Sequence, residues 1–214
     1  MEDNLEQTNS EIVRNYLDEI RAVVSKIPIN GILQVVDVIN EARENGKRVY
    51  IFGNGGSAAT ASHFACDLSK GAIRSDKPRI KAFALTDTFS QVSAWANDSD
   101  YEFVFSEQVE NYVEFGDIVI AISGSGNSLN VLNGVAIARA KGAITIGLTA
   151  FDGGHLKEMV DIAIVAPVFS MEQAEDIHLM LEHIFTTCLR NGTTFTGNIC
   201  LQEANIVVAP IRAH

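Results

Sequence analysis

The sequence predicts an α/β three-layer sandwich of about five parallel strands, preceded by two helices. Three observations carry this. First, five short runs are continuously apolar, as strands buried on both faces must be: Arg48–Phe52 (RVYIF), Ile80–Leu85 (IKAFAL), Asp117–Ser123 (DIVIAIS), Ala143–Thr149 (AITIGLT) and Asp161–Pro167 (DIAIVAP). Second, stretches with helical spacing separate them, and strands alternating with helices argue for a parallel sheet covered on both sides. Third, the residues before Arg48 carry helical periodicity alone.

Taken in order, NSEIVRNYLDEIRAVVSKI (Asn9–Ile27) has apolar residues on one helical face, with Ser10 as the expected N-cap, and Pro28 breaks it. INGILQVVDVINEAREN follows as a second amphipathic helix that stops near Gly46. The third strand is followed by NSLNVLNGVAIARAKG, and MEQAEDIHLMLEHIFTTCLR closes the pattern as a long final helix. The expected organisation is one domain over residues 1–214: a helical pair (1–46), an α/β core (47–190) and a tail (191–214). The tail's structure stays open, although ANIVVAP is compatible with an added strand.

Composition narrows the function. With 214 residues, 47% of them hydrophobic, the chain can bury one core of ordinary size. A net charge of -11 argues against nucleic acid as a direct partner, which needs clustered Lys and Arg. It leaves room for a small phosphorylated ligand, since backbone N–H groups bind phosphate without a positive chain. Cys66, Cys188 and Cys200 are odd in number and lack metal-knuckle spacing, so reduced, buried thiols in a cytoplasmic protein are expected. The acidic start MEDNLEQTNSEIV is no signal peptide, and the longest apolar runs are too short for a bilayer; no membrane partner is expected.

Two loops stand out at strand ends. GNGGS (Gly53–Ser57) follows the first strand and SGSGNS (Ser123–Ser128) the third. Glycines let the backbone approach a ligand, serines add hydroxyl donors, and the next helix presents free N–H groups. Together they suit an anion with several oxygens, most simply phosphate. The first loop lacks a Walker lysine, and both lack the third glycine of a dinucleotide fingerprint. Two ordinary βα turns are the plainer alternative, weakened by the equivalent placement of the pair.

Two helices carry metal-type residues. His63 and Asp67, four apart, share one helix face. The final helix holds Glu172, Glu175, Asp176, His178, Glu182 and His183; Glu175 and His183 lie about two turns apart. His63, Asp67, Glu175 and His183 would form a two-histidine, two-carboxylate set suited to zinc, iron, manganese or nickel. The plain alternatives are a surface His–Asp pair and a solvated acidic face that includes His178 and Glu182. Spacing leaves open whether the helices meet.

GNGGSAATASHFACDL, SGSGNS, the Asn97–Asp98 pair in AWANDSDYEF, LTAFDGG and AEDIHLMLEHIF together resemble the sugar isomerase (SIS) domain, most of all its phosphoheptose isomerase branch, which acts on sedoheptulose 7-phosphate. The likeness runs from the N-terminal helices to about Arg190. It implies a flavodoxin-like sheet in a homotetramer with active sites between subunits. Ser123, Ser125 and Ser128 fall on phosphate-binding positions, and Asn54 and Ser57 on substrate positions of the first loop, with Gly55 and Gly124 beside them. Asp98 falls on a contact to the sugar chain, and His63 and His183 on metal ligands. The resemblance implies aldose–ketose isomerisation through an enediol, with Asp67 and His183 as the acid/base pair and a divalent metal, zinc first.

The chain departs from the branch at Asp67, where a Glu is the base, at Glu175, where a Gln binds metal, at Glu172, where an Asp stands, and at Gly124, where Thr is usual. A basic residue usual near Gly71 is absent there, with Lys70 and Arg74 close by. These departures keep two other readings open. One is a non-catalytic SIS module that senses a phosphosugar or binds a partner protein; the other is an isomerase for a different phosphosugar. The carboxylate at Asp67 favours an enzyme over the module.

Overall fold

The computed structural model describes residues 8–192. Its five strands are β1 (Arg48–Gly53), β2 (Lys81–Ala84), β3 (Ile118–Ser123), β4 (Ile144–Ala150) and β5 (Ile162–Ala166), each within one residue of the run expected for it. All pair in parallel, in the order β2-β1-β3-β4-β5. The chain crosses to one side of β1 to make β2 and returns to the other side for β3. The direction of winding therefore switches between β1 and β3, where an open sheet of this kind leaves a crevice beyond its strand ends. Both Ser/Gly loops flank that crevice.

The continuous apolar runs bury two faces, and the helices sort accordingly. Val49, Ile51, Ile118, Ile120 and Ile122 face a core shared with Ile39 of α2 (Ile29–Glu44), Phe64 of α3 (Gly56–Cys66) and Phe185 of α8 (Met171–Asn191). Tyr50, Phe52, Val119 and Ala121 face the other way. They pack with Val109 of α5 (Ser106–Tyr112), Val135 of α6 (Leu129–Ala140) and Leu156 of α7 (Gly154–Met159). Three layers result, with α1 (Asn9–Val24) leaning on α8 through Tyr16 to Asp176 and Gln173 to Glu19.

Several elements differ from expectation. The N-cap of α1 is Thr8, not Ser10. Thr8 Oγ1 accepts from the Glu11 N–H and Glu11 returns the bond to the Thr8 N–H, a capping box that outcompetes a lone serine inside the turn. α4 (Phe89–Asp98), a 3₁₀ turn at Tyr101–Phe103, α5 and α7 are short elements that periodicity did not reveal. Cys66 is exposed rather than buried and Cys188 is half-buried; both are free thiols. Cys200 and ANIVVAP lie outside the described residues. Among the described residues, no single helix is long and apolar enough to cross a membrane.

One buried polar contact ties α8 to the sheet. His178, 1% exposed, donates from Nε2 to the Thr149 carbonyl at 3.1 Å. Burial pushes its pKa below the ordinary 6.5, so the folded chain holds it neutral. A group of this kind contributes stability above its unfolded pKa, and that contribution is lost as pH falls. The unfolding temperature is expected to drop as pH goes below about 6.5. His178→Gln, which keeps a donor but does not titrate, should flatten that profile in thermal melts.

Candidate active site

The loop after β3 gathers hydroxyl groups at the start of a helix. Ser123 is 5% exposed, and its Oγ donates to Ser128 Oγ at 3.4 Å. Ser128 is the N-cap of α6 but makes no side-chain capping bond, so its hydroxyl is not committed to the helix. Ser125 Oγ accepts from the Asn127 N–H at 3.2 Å. Three hydroxyls thus gather at the positive end of a twelve-residue helix. At Gly124 a Cβ would lie 2.6 Å from Met171 Sδ, so the Thr of the resembling branch would need the Met171 side chain to move. Gly126 has φ +64, and a Cβ on it would run into the Gly153 carbonyl oxygen.

The loop after β1 is arranged differently. Asn54 and Asn130 exchange amide hydrogen bonds at 2.9 Å in both directions, tying this loop to the first turn of α6. The Tyr101 hydroxyl donates to Asn54 Oδ1 at 3.0 Å. Gly55 caps α3 and Ser57 is buried beneath it. The Glu175 carboxylate lies against Gly56, so close that a Cβ there would displace it. A side-chain carboxylate therefore already stands at the positive end of α3, which disfavours a second anion at that end. Of the two loops, the one after β3 is the better phosphate cradle.

Seven residues beyond Gly56, α3 presents His63 to α8. His63 Nδ1 is 3.5 Å from Glu182 Oε1, and His183 Nε2 is 3.1 Å from the same oxygen. His63 Nε2 is 3.9 Å from Asp67 Oδ2, and the two imidazole rings stand edge to face at 5.0 Å. One ligand atom from each of His63, Asp67, Glu182 and His183 lies within 4.8 Å of the others. The histidines are about half exposed, while the Glu182 side chain is fully buried, with no hydrogen-bond partner on either oxygen among the described residues. Burial first, and the charge of Asp67 second, push the Glu182 pKa up to about 8. Asp67 opens a π-helical turn, Asp67–Gly71, a local widening often found at functional sites. Two imidazoles and two carboxylates, one of them buried and unpartnered, fit a divalent cation such as zinc.

The structure departs from the spacing argument at Glu175. Eight residues along a helix span about 12 Å, so Glu175 and His183 face different turns of α3, the first at Gly56 and the second near His63. Glu182 stands in the group instead. By residue type it reads as part of a solvated face with His178, yet both belong to the buried stripe Ala174, Ile177, His178, Leu181, Glu182 and Phe185. That stripe was the available signal, because two polar residues sit in its apolar register. Asp98 ends α4 on the surface, accepting from Asn97 at 2.7 Å, and Glu172 is held at the start of α8 by Ser170. The described contacts join neither residue to the His/carboxylate group.

The sequence profile of the SIS domain family matches residues 15–150. The chain is 40% identical over 151 residues to the phosphoheptose isomerase of Aliarcobacter butzleri, covering 71% of this chain and 79% of that protein. It is 37% identical over 171 residues to a probable phosphoheptose isomerase of Thermoplasma acidophilum, covering 80% and 93%. The solved phosphoheptose isomerase of Neisseria gonorrhoeae superposes with a TM-score of 0.79 at 30% identity, over 85% of this chain and 98% of that one.

The cradle's dependence on Gly126 is open to test. Gly126→Ala should cost about 1–3 kcal/mol from the left-handed backbone alone, more with the Gly153 clash, and should weaken inorganic phosphate binding. Gly46→Ala, also at positive φ (+66) but with its nearest neighbour 3.8 Å away, should cost stability without touching phosphate binding. Chemical denaturation and calorimetric titration separate the two effects.

Proposed function

The chain belongs to the SIS domain family, in its phosphoheptose isomerase branch, and on that premise we propose that it interconverts sedoheptulose 7-phosphate and an aldose heptose 7-phosphate. The observation that carries this reading is the pairing of a hydroxyl-lined anion cradle with a histidine–carboxylate group, linked by α8. That helix packs Met171 against Gly124 of the cradle at one end and presents His183 near the other.

In this reading Ser123, Ser125, Ser128 and the first N–H groups of α6 hold the phosphate. Asn54, Gly55, Ser57 and Gly124 line the path from it, and Asp98 and Glu172 meet hydroxyls of the sugar chain. The carbonyl end of the substrate then reaches the histidine–carboxylate group. Isomerisation needs a base for the proton beside the carbonyl and an acid for the carbonyl oxygen. Asp67 and His183 take these parts. His63, Asp67 and His183 would hold a divalent metal, zinc first, and a bound cation supplies polarisation of the substrate oxygens and charge stabilisation for the enediolate. Holding a cation and moving a proton compete at Asp67 and at His183 alike, since a lone pair given to the ion is not free to take a proton.

A homotetramer with sites between subunits is part of the same reading. Ile12, Val13 and Leu17 of α1 and Ile29 of α2 are exposed, and a cavity of about 440 Å³ borders His183, Ile184 and Cys188. A second copy of the chain would cover such surfaces. Free thiols at Cys66 and Cys188 suit a reducing compartment, the cytoplasm.

The test is a panel of ketose phosphates incubated with metal-analysed protein, with aldose formation followed. Sedoheptulose 7-phosphate should turn over. His183→Gln should lower kcat by about 10²–10⁴-fold, and Ser128→Ala should act mainly on KM. Binding of phosphosugars with no turnover on any of them would favour the module, and turnover of another ketose phosphate alone would move the substrate.

A further inference from the structure

We propose that Glu182, rather than Glu175, is the carboxylate that α8 brings to the metal site formed with His63 and His183 of the same subunit. The inference deepens the metal-dependent reading above and rests on it.

Burial supplies the first argument. The Glu182 side chain is wholly inaccessible, and neither oxygen has a hydrogen-bond partner among the described residues. An ionised carboxylate in that position is strongly unfavourable unless a cation or donors compensate it. The groups nearest Oε1 are two imidazole nitrogens, themselves metal-type ligands. Distance supplies the second. Ligands around a tetrahedral zinc with bonds of about 2.1 Å stand about 3.4 Å apart. Glu182 Oε1 is 3.1 Å from His183 Nε2 and 3.5 Å from His63 Nδ1, spacings that one shared ion would impose. Asp67 closes the set from the π-helical turn, with one ligand atom from each of the four residues lying within 4.8 Å of the others.

The position of Glu175 supplies the third. Its carboxylate rests on Gly56, seven residues and about 10 Å along α3 from His63. Reaching the histidines would require it to leave the start of α3, where the helix dipole favours a negative charge. With no side chain at Gly56, that carboxylate rests directly on the backbone at the start of α3. The structure thus gives the two glutamates separate tasks, one at the start of α3 and one between the histidines.

The full chain is stripped with a chelator and titrated with zinc against a chromophoric competitor. It is titrated separately with cobalt(II), whose visible absorption reports its ligands. Wild type, Glu182→Gln, Glu182→Leu and Glu175→Leu are compared. The wild type should take one ion per chain. Both Glu182 variants should bind zinc at least about a hundredfold more weakly and change the cobalt spectrum, whereas Glu175→Leu should stay within about threefold of wild type. Metal-free Glu182→Leu should melt above the metal-free wild type, because it removes a buried carboxylate that no hydrogen bond compensates, and the same melt shows that the variant is folded. Glu182 variants with wild-type affinity and spectrum would overturn the inference and leave the isomerase reading standing, as would loss of binding in Glu175→Leu alone. A wild type that takes up neither metal would overturn the inference and the metal in the proposed mechanism together.

Discussion

Helices α3 and α8 lie side by side on one face of the sheet and point the same way, and their seam decides where the functional groups stand. Gly56 admits the Glu175 carboxylate, and seven residues further along each helix His63 meets Glu182. Beside that pair Phe64 stacks on Phe185 with ring centres 5.8 Å apart. At the end of the π-helical turn, Gly71 lies close to the Thr186 methyl group. The seven-residue step from Gly56 to His63 matches that from Glu175 to Glu182, and the apolar pair beside the second contact holds its polar groups in fixed positions. A small residue at Gly56 and an aromatic pair at Phe64 and Phe185 are therefore as much part of the site as the histidines.

The sheet was legible in the sequence because each strand is a short apolar run between turn residues, and burial on both faces leaves no other pattern. The helices between β2 and β3 were not, since the longest of them, α4, buries none of its residues and offers no periodic stripe. The cradle after β3 was visible as Ser and Gly at a strand end. What the sequence concealed was the competition at the start of α3, where Glu175 arrives from over a hundred residues away. The metal-type group was half legible. His63, Asp67 and His183 stood out by residue type, whereas Glu182 needed the buried stripe of α8 to be traced residue by residue. An eight-residue spacing describes direction around a helix but also carries a rise, and that rise separates Glu175 from His183.

The two parts of the site use different physics. The cradle relies on hydroxyls and on the end of α6, groups that bind an anion without titrating near neutral pH. In the histidine–carboxylate group, burial and the charge of Asp67 displace Glu182 upward from the usual carboxylate range. The final helix, α8, supports both parts.

The cradle's makeup has a kinetic consequence. The chain carries a net charge of -11, so a phosphorylated sugar approaches against the field of the whole molecule and feels the dipole of α6 only at short range. At about 0.01 M ionic strength that repulsion reaches out roughly 30 Å, and at 0.15 M only about 8 Å. Added salt therefore speeds encounter with this site, the reverse of an enzyme that steers its substrate in with surface lysines.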